Sequence, residues 1–265
     1  MPGLTPAALR RLVLQQSKRA NVGHIGSALS VVEILAALHG GMLRASAPDD
    51  MERDRFVLSK GHAALALYAT LFLNGVITQD QLDTYCGNDS QLGVHPEHCL
   101  AGIDFSTGSL GHGLSIGAGA ALAARLDGSE RKVFVLVSDA ECNEGALWEA
   151  VAFAAHHRLS ALIAIVDANG QQALGHTRDV LDMSPLGARW EAFGWRARTV
   201  DGHDLGALRT ALVAAREATD SPQVIIARTV AGKGVSYMER QVKWHYWPMS
   251  DEQYAQALKE IEAAE

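Results

Sequence analysis

The sequence predicts an α/β protein built on a doubly wound, mostly parallel sheet with helices on both faces, and three observations carry that expectation. Segments with helical periodicity alternate with short apolar runs along the 265 residues. Several of these runs are continuously apolar, as strands covered on both faces are. Finally, Lys132 to Val137, a helical pattern from Ala146 to His157, and Ala161 to Val166 read as strand, crossover helix and strand, which makes the two strands parallel neighbours.

Taken in order, residues 6 to 19 open with a helical pattern bearing Arg10, Arg11, Lys18 and Arg19, while the first acidic residue is Glu33. That composition suits a transit peptide, but a glycine-histidine motif begins at Gly23, so the segment is read as the first helix of the fold. Helical patterns follow at 28 to 43, 61 to 74, 78 to 86, 112 to 127, 144 to 157, 183 to 193, 204 to 218 and 251 to 263. Strands are expected at Arg55 to Leu58, Lys132 to Val137, Ala161 to Val166, Trp195 to Val200 and Gln223 to Thr229. Pro48-Asp49-Asp50 and Gly87-Asn88-Asp89-Ser90 are loops, and Ala168 to Asp179 is a longer polar connection. No repeat, low-complexity tract or linker divides the chain, so residues 1–265 are expected to form a single domain.

A hydrophobic content of 48% with 20% charged residues suits one sizeable core. The net charge of −7 and pI near 5.9 argue against nucleic acid or an anionic membrane as the main partner. No apolar run approaches the roughly 18 to 20 residues of a membrane span. Cys86, Cys99 and Cys142 contain no CxxC pair and are odd in number, which fits reduced thiols and a cytoplasmic setting.

Two familiar nucleotide signatures are absent. Thr107 to Gly113 approaches GxGxxG without completing it, and Gly232-Lys233 lacks the rest of a phosphate-binding P-loop. The stronger signal lies at two strand ends, Ser138-Asp139-Ala140 and Asp167-Ala168-Asn169-Gly170. Parallel strands bring Asp139 and Asn169 together at the carboxyl rim of the sheet, where ligands of such folds lie. A carboxylate and an amide there suit magnesium carrying the oxygens of a diphosphate cofactor. Their simpler structural roles are a helix N-cap and a turn residue.

An ordered set of further motifs accompanies this pair: Gly23-His24-Ile25-Gly26, Ser59-Lys60-Gly61-His62, Val94-His95-Pro96-Glu97, the glycine turn at 107 to 113, and Trp244-His245. From about Arg10 to Asp251 the chain resembles the thiamin diphosphate enzymes of the transketolase family, specifically the diphosphate-binding half. The resemblance implies that Asp139, the Asn169 side chain and the Gln171 carbonyl bind magnesium, and that the Ala140 N–H contacts the diphosphate. It further implies cofactor contacts from Gly108, Ser109, Leu110, Glu141, His62 and His245. His24, His62, His95 and His245 would line the channel to the reactive thiazolium carbon, with catalytic roles in proton transfer and hydroxyl recognition. Glu144 would lie near the subunit contact, in a proton network linking two active sites. His39, His98, His156 and His157 are left as surface or capping residues.

The family's activity also requires a glutamate on the pyrimidine side of the cofactor, carried by a second α/β domain. After Thr229 the sequence offers a loop and one short helix, so the reading is a half-enzyme. A separate C-terminal transketolase-type subunit would supply the pyrimidine-binding and C-terminal domains, in an α2β2 assembly acting on sugars or sugar phosphates. Three departures stand out. Ser138 and Ala140 flank Asp139 where the family has glycines, Ile25 replaces a common proline, and bulky Tyr246-Trp247-Pro248 follows His245. The leading expectation is transfer of a two-carbon ketol group from a ketose to an aldose. The alternatives are another thiamin diphosphate enzyme, as a 2-oxoacid dehydrogenase α-type or acyloin-forming decarboxylase subunit, or a non-catalytic degenerate subunit.

Overall fold

The computed structural model describes residues 3–44 and 50–264, so Pro48 and Asp49 of the first expected loop lie outside the described residues. Five parallel strands form the sheet: β1 (Arg55–Leu58), β2 (Val133–Ser138), β3 (Leu162–Ala168), β6 (Arg196–Asp201) and β7 (Gln223–Arg228), in spatial order β1-β2-β3-β7-β6. Within the polar 168–179 segment, β4 (Gln171–Gln172) and β5 (Gly175–His176) make a small antiparallel ribbon that periodicity did not reveal.

The helices are α1 (Pro6–Ala20), α2 (Ile25–Ser30), α3 (Val32–Ala37), α4 (Ala64–Leu73), α5 (Gln79–Leu82), α6 (Gly113–Leu126), α7 (Gly145–His156), α8 (Thr177–Val180), α9 (Leu186–Ala192), α10 (Leu205–Arg216) and α11 (Asp251–Ala263). Local chemistry sets their ends. Thr5 caps α1, with its side chain accepting from the Ala8 N–H, Pro6 takes the first turn, and Asn21 closes the helix in the left-handed region. The helix expected over 28 to 43 starts earlier, bends at Val31, and ends in a π-type turn where Gly41 adopts φ 121°. The helix expected over 78 to 86 stops at Leu82. Thr84 and Tyr85 then bond three residues back, and Cys86 turns left-handed.

Alternate strand residues face opposite layers, which is the basis of the double winding. Phe56, Leu58, Phe134, Leu136, Ile163 and Ile165 pack with α1 to α4, α10 and α11. Val57, Val133, Val135, Val137, Ala164 and Val166 pack with α6, α7 and α9. The register sets Ser138 beside Asp167, so the ends of β2 and β3 meet at one rim.

Candidate active site

A cleft of about 330 Å³ opens at the carboxyl ends of β1, β2 and β3. Its walls include His24, His62, His95 and His245, joined by Gly108, Leu110, Ala140, Glu144, Asn169 and Gln171. These ten expected site residues come from seven separate segments of the chain.

Three imidazoles form a triangle. Ring centroids lie 5.7 Å apart for His24 and His62, 5.4 Å for His24 and His245, and 5.2 Å for His62 and His245. His62 stands on the turn Gly61–Ala63 directly after β1. His24 precedes α2 in a left-handed conformation, φ 60°, which disfavours a side chain bearing a Cβ by about 1–2 kcal/mol. His245 reaches the cleft because residues 242–247 pack onto the start of α2. A Cβ added to Gly23 would come within 2.2 Å of the Tyr246 carbonyl oxygen, so glycine is needed for that approach. Buried Trp244 secures the segment, donating its indole N–H to the Tyr237 carbonyl at 3.0 Å. His95 is fixed from behind by the Tyr68 hydroxyl, which donates to its carbonyl at 3.0 Å.

Burial holds the triangle neutral. It lowers the pKa of His24, with His95 adding to the effect, and lowers that of His62 well below the ordinary value, with Lys60 and His245 adding. His245 is pushed down to about 4 by burial and then by His24 and Lys60. Neutral imidazoles can both donate to and accept from hydroxyl and carbonyl groups.

The opposite end of the cleft is rich in oxygen. Asp139 lies between the lining residues Ser138 and Ala140, with its carboxylate accepting from the Ala140 N–H at 2.9 Å and the Gly170 N–H at 2.7 Å. Burial, followed by the nearby Asp167 charge, pushes its pKa up to about 7. The Asn169 Oδ1 accepts from the Gln171 N–H at 2.9 Å, and the Gln171 Nε2 is buried without a partner among the described residues. One crowded carboxylate, an amide oxygen and an adjacent main-chain carbonyl make a hard-oxygen set whose chemistry would suit a magnesium ion. Ala140 is not among the left-handed residues, so its methyl group brings no backbone strain to the rim.

Two expected cofactor contacts lie elsewhere. Glu141 is wholly buried, accepting from the Ser59 hydroxyl at 2.6 Å and from the Gly111 and Ser138 N–H groups at 2.9 Å each. It therefore ties the rim loops together instead of facing the cleft. It lies in the 3₁₀ turn Ala140–Asn143, which points its side chain inward. Ser109 lines a neighbouring depression with Glu97 and His112.

Sequence reasoning gave no role to Lys60 and Asp167, which form an ion pair with neither side chain exposed. Lys60 also donates to the Ser27 carbonyl at 3.3 Å, while Asp167 accepts from Ser30 Oγ at 2.7 Å, from Asn169 Nδ2 at 2.9 Å and from Thr229 Oγ1. By holding the Asn169 amide nitrogen, Asp167 orients its oxygen. A charge ending an otherwise apolar strand was the available signal.

The family described as "Transketolase, thiamine diphosphate binding domain" matches residues 4–262. The 6-deoxy-6-sulfo-D-fructose transketolase subunit of a Clostridium species is 38% identical over 260 residues, covering 96% of this chain and 94% of that protein. One of the subunits of the apulose-4-phosphate transketolase of Phocaeicola vulgatus is 38% identical over 254 residues, covering 95% and 90%. The transketolase structure from Campylobacter jejuni superposes with a TM-score of 0.92 at 31% identity, covering 98% of this chain and 42% of that one. The chain thus spans about two fifths of that solved transketolase and nearly all of the two subunits.

Proposed function

The chain belongs to the transketolase thiamine diphosphate-binding family, and we propose that it is the diphosphate-binding subunit of a two-chain transketolase. The observation that carries this reading is near full-length similarity to proteins named as transketolase subunits, on a chain whose cleft gathers the four histidines and the oxygen-rich rim. A second subunit then supplies the pyrimidine side, including the glutamate, in an α2β2 assembly. Free Cys86, Cys99 and Cys142 favour a reducing, cytoplasmic setting.

Asp139, Asn169 and the Gln171 carbonyl would hold magnesium, and Ala140, Gly108 and Leu110 would contact the cofactor through their backbones. Thiamin diphosphate, when bound, supplies a carbon nucleophile and an electron sink. The chain's own residues serve the sugar. His24, His62 and His245, kept neutral, would bind ketose hydroxyls and the carbonyl oxygen and pass protons between them, while His95 closes the same wall. Glu144 lines the cleft and is free to enter a proton network reaching the partner.

The substrate class follows from the wall beyond His245. Tyr246 and Trp247 are large and exposed, and the Lys243 ammonium lies 5.4 Å from the Trp247 ring centroid. An aromatic and cationic margin suits a ketose ending in an oxyanion, and the two named relatives act on a sulfonated and a phosphorylated sugar. The reaction is transfer of a two-carbon ketol unit from such a ketose to an aldose.

Affinity purification from native cells in thiamin diphosphate and magnesium tests the assignment. The expected result is a stoichiometric second α/β chain, and a complex that transfers ketol groups. Recovery of the chain alone would overturn it, and carbon dioxide release from a 2-oxoacid by the complex would move it to the decarboxylating enzymes.

A further inference from the structure

At the amino-terminal end of the sheet, the edge opposite the cleft, a second cavity of about 450 Å³ is walled by Arg44, Arg125, Lys132, Arg158 and Arg216. We propose that this cavity is a binding site for a small polyanion, a metabolite carrying two or more phosphoryl or carboxylate groups.

The chain as a whole carries a net charge of −7, so five cations around one hollow depart from its general character. Helix polarity explains some of them singly. Arg125 and Arg216 lie in the last turns of α6 and α10, and Arg158 just follows α7, where the partial negative charge of a helix end favours a cation. It does not explain Lys132, which begins the approach to β2, or Arg44, or the space left between them.

Among the described residues the local carboxylates do not balance the set. Buried Asp54 serves Arg44 at 3.4 Å and Arg216 at 2.6 Å, and it also accepts from the Lys132 N–H at 2.8 Å. Among the described residues Glu130 is the one acidic residue on the wall. The Lys132 ammonium donates to the Ser160 carbonyl at 3.4 Å and is half-buried; burial lowers its pKa, and Arg216 and Arg44 add to the effect against the opposing charges of Asp54 and Glu130. Arg125 donates to the His157 carbonyl, leaving the rest of its guanidinium for the cavity. Among the described residues Arg158 has no ion pair, and it is exposed in a left-handed conformation, φ 48°, that aims the turn 158–160 along the rim. A bound polyanion would take the unused donors of Arg158, Lys132 and Arg125 and relieve the repulsion at Lys132. The volume fits a small metabolite rather than a nucleic-acid backbone, which needs an open track.

The test is calorimetric titration of the full chain with 2,3-bisphosphoglycerate, a bisphosphate that is not a ketose. Saturable one-to-one binding is expected, weakening as sodium chloride rises. It should fall at least 10-fold in Lys132→Gln/Arg158→Asn, whose asparagine accepts the left-handed backbone, and be unchanged in the cleft variant His62→Ala. An unchanged melting temperature of the double variant shows that the fold is kept, and the single variant Arg158→Glu should weaken binding without touching any internal bond. Absence of saturable binding, equal binding by the double variant, or loss in His62→Ala would each overturn the proposal. So would binding of a glutamate-rich peptide in place of the bisphosphate, which would make the surface a protein contact.

Discussion

At the scale of single residues, the histidines divide by environment, and the division has consequences for stability as well as chemistry. Sequence context leaves His39 among the surface and capping residues, and the structure corrects this. It sits edge-on to Phe56 with ring centroids 5.3 Å apart, its Nε2 is buried without a partner among the described residues, and burial pushes its pKa down to about 4. In the unfolded chain it titrates near its ordinary value of 6.5. Between these values the unfolded state binds the extra proton, so the stability that neutral His39 allows is present above pH 6.5 and is lost as pH falls toward 4. At about pH 5 the loss is roughly 2 kcal/mol relative to neutral pH. Urea unfolding of wild type and His39→Leu at both pH values should show the dependence smaller by roughly 2 kcal/mol in the variant, the remainder carried by the other buried histidines, and equal dependence in both would refute the assignment.

Among the elements, the buried pair Lys60–Asp167 joins the end of β1 to the end of β3 and gathers α2 through Ser27 and Ser30. A single loss leaves a charge without its partner inside the protein, so Asp167→Asn should destabilise by about 3–5 kcal/mol. The paired replacement Lys60→Met/Asp167→Leu should recover much of that stability, while magnesium-dependent cofactor affinity stays low because Asn169 has lost its orienting acceptor. Thermal melts and calorimetry read the two effects separately. A double variant with full cofactor affinity would sever Asp167 from the metal rim. The same elements mark what the sequence disclosed. Four of the main strands were legible because they are short apolar runs flanked by polar turns, the more polar β6 because it alternates with helical patterns on either side, and Asp139 and Asn169 because charge and amide ended two of them. The inward turn of Glu141 was not legible, since a 3₁₀ turn and a first α-turn share the same spacing but aim the side chain differently. Neither was the bend at Val31, which arises from packing against α4 and the residues following β1 rather than from any local breaker.

For the molecule as a whole, function turns on what covers the mouth of the cleft. Leu174 is 81% exposed on the connection between β4 and β5 while also lining the cleft, and Trp247, two residues after the lining residue His245, is 60% exposed. Together with Leu181 and Tyr246 they leave apolar surface on the side where a pyrimidine-binding subunit would complete the site. Large side chains near the centre of such an interface carry much of its binding energy. Leu174→Asp should therefore weaken association with the second subunit by at least 10-fold and lower ketol transfer in dilute solution. The melting temperature of the isolated chain should hardly move, because an exposed residue contributes little to its core. Raising the partner concentration should restore turnover if the defect lies in assembly. Failure to recover at saturating partner, with normal complex formation by sedimentation, would instead place Leu174 in the reaction cleft alone and leave the docking side elsewhere on the molecule.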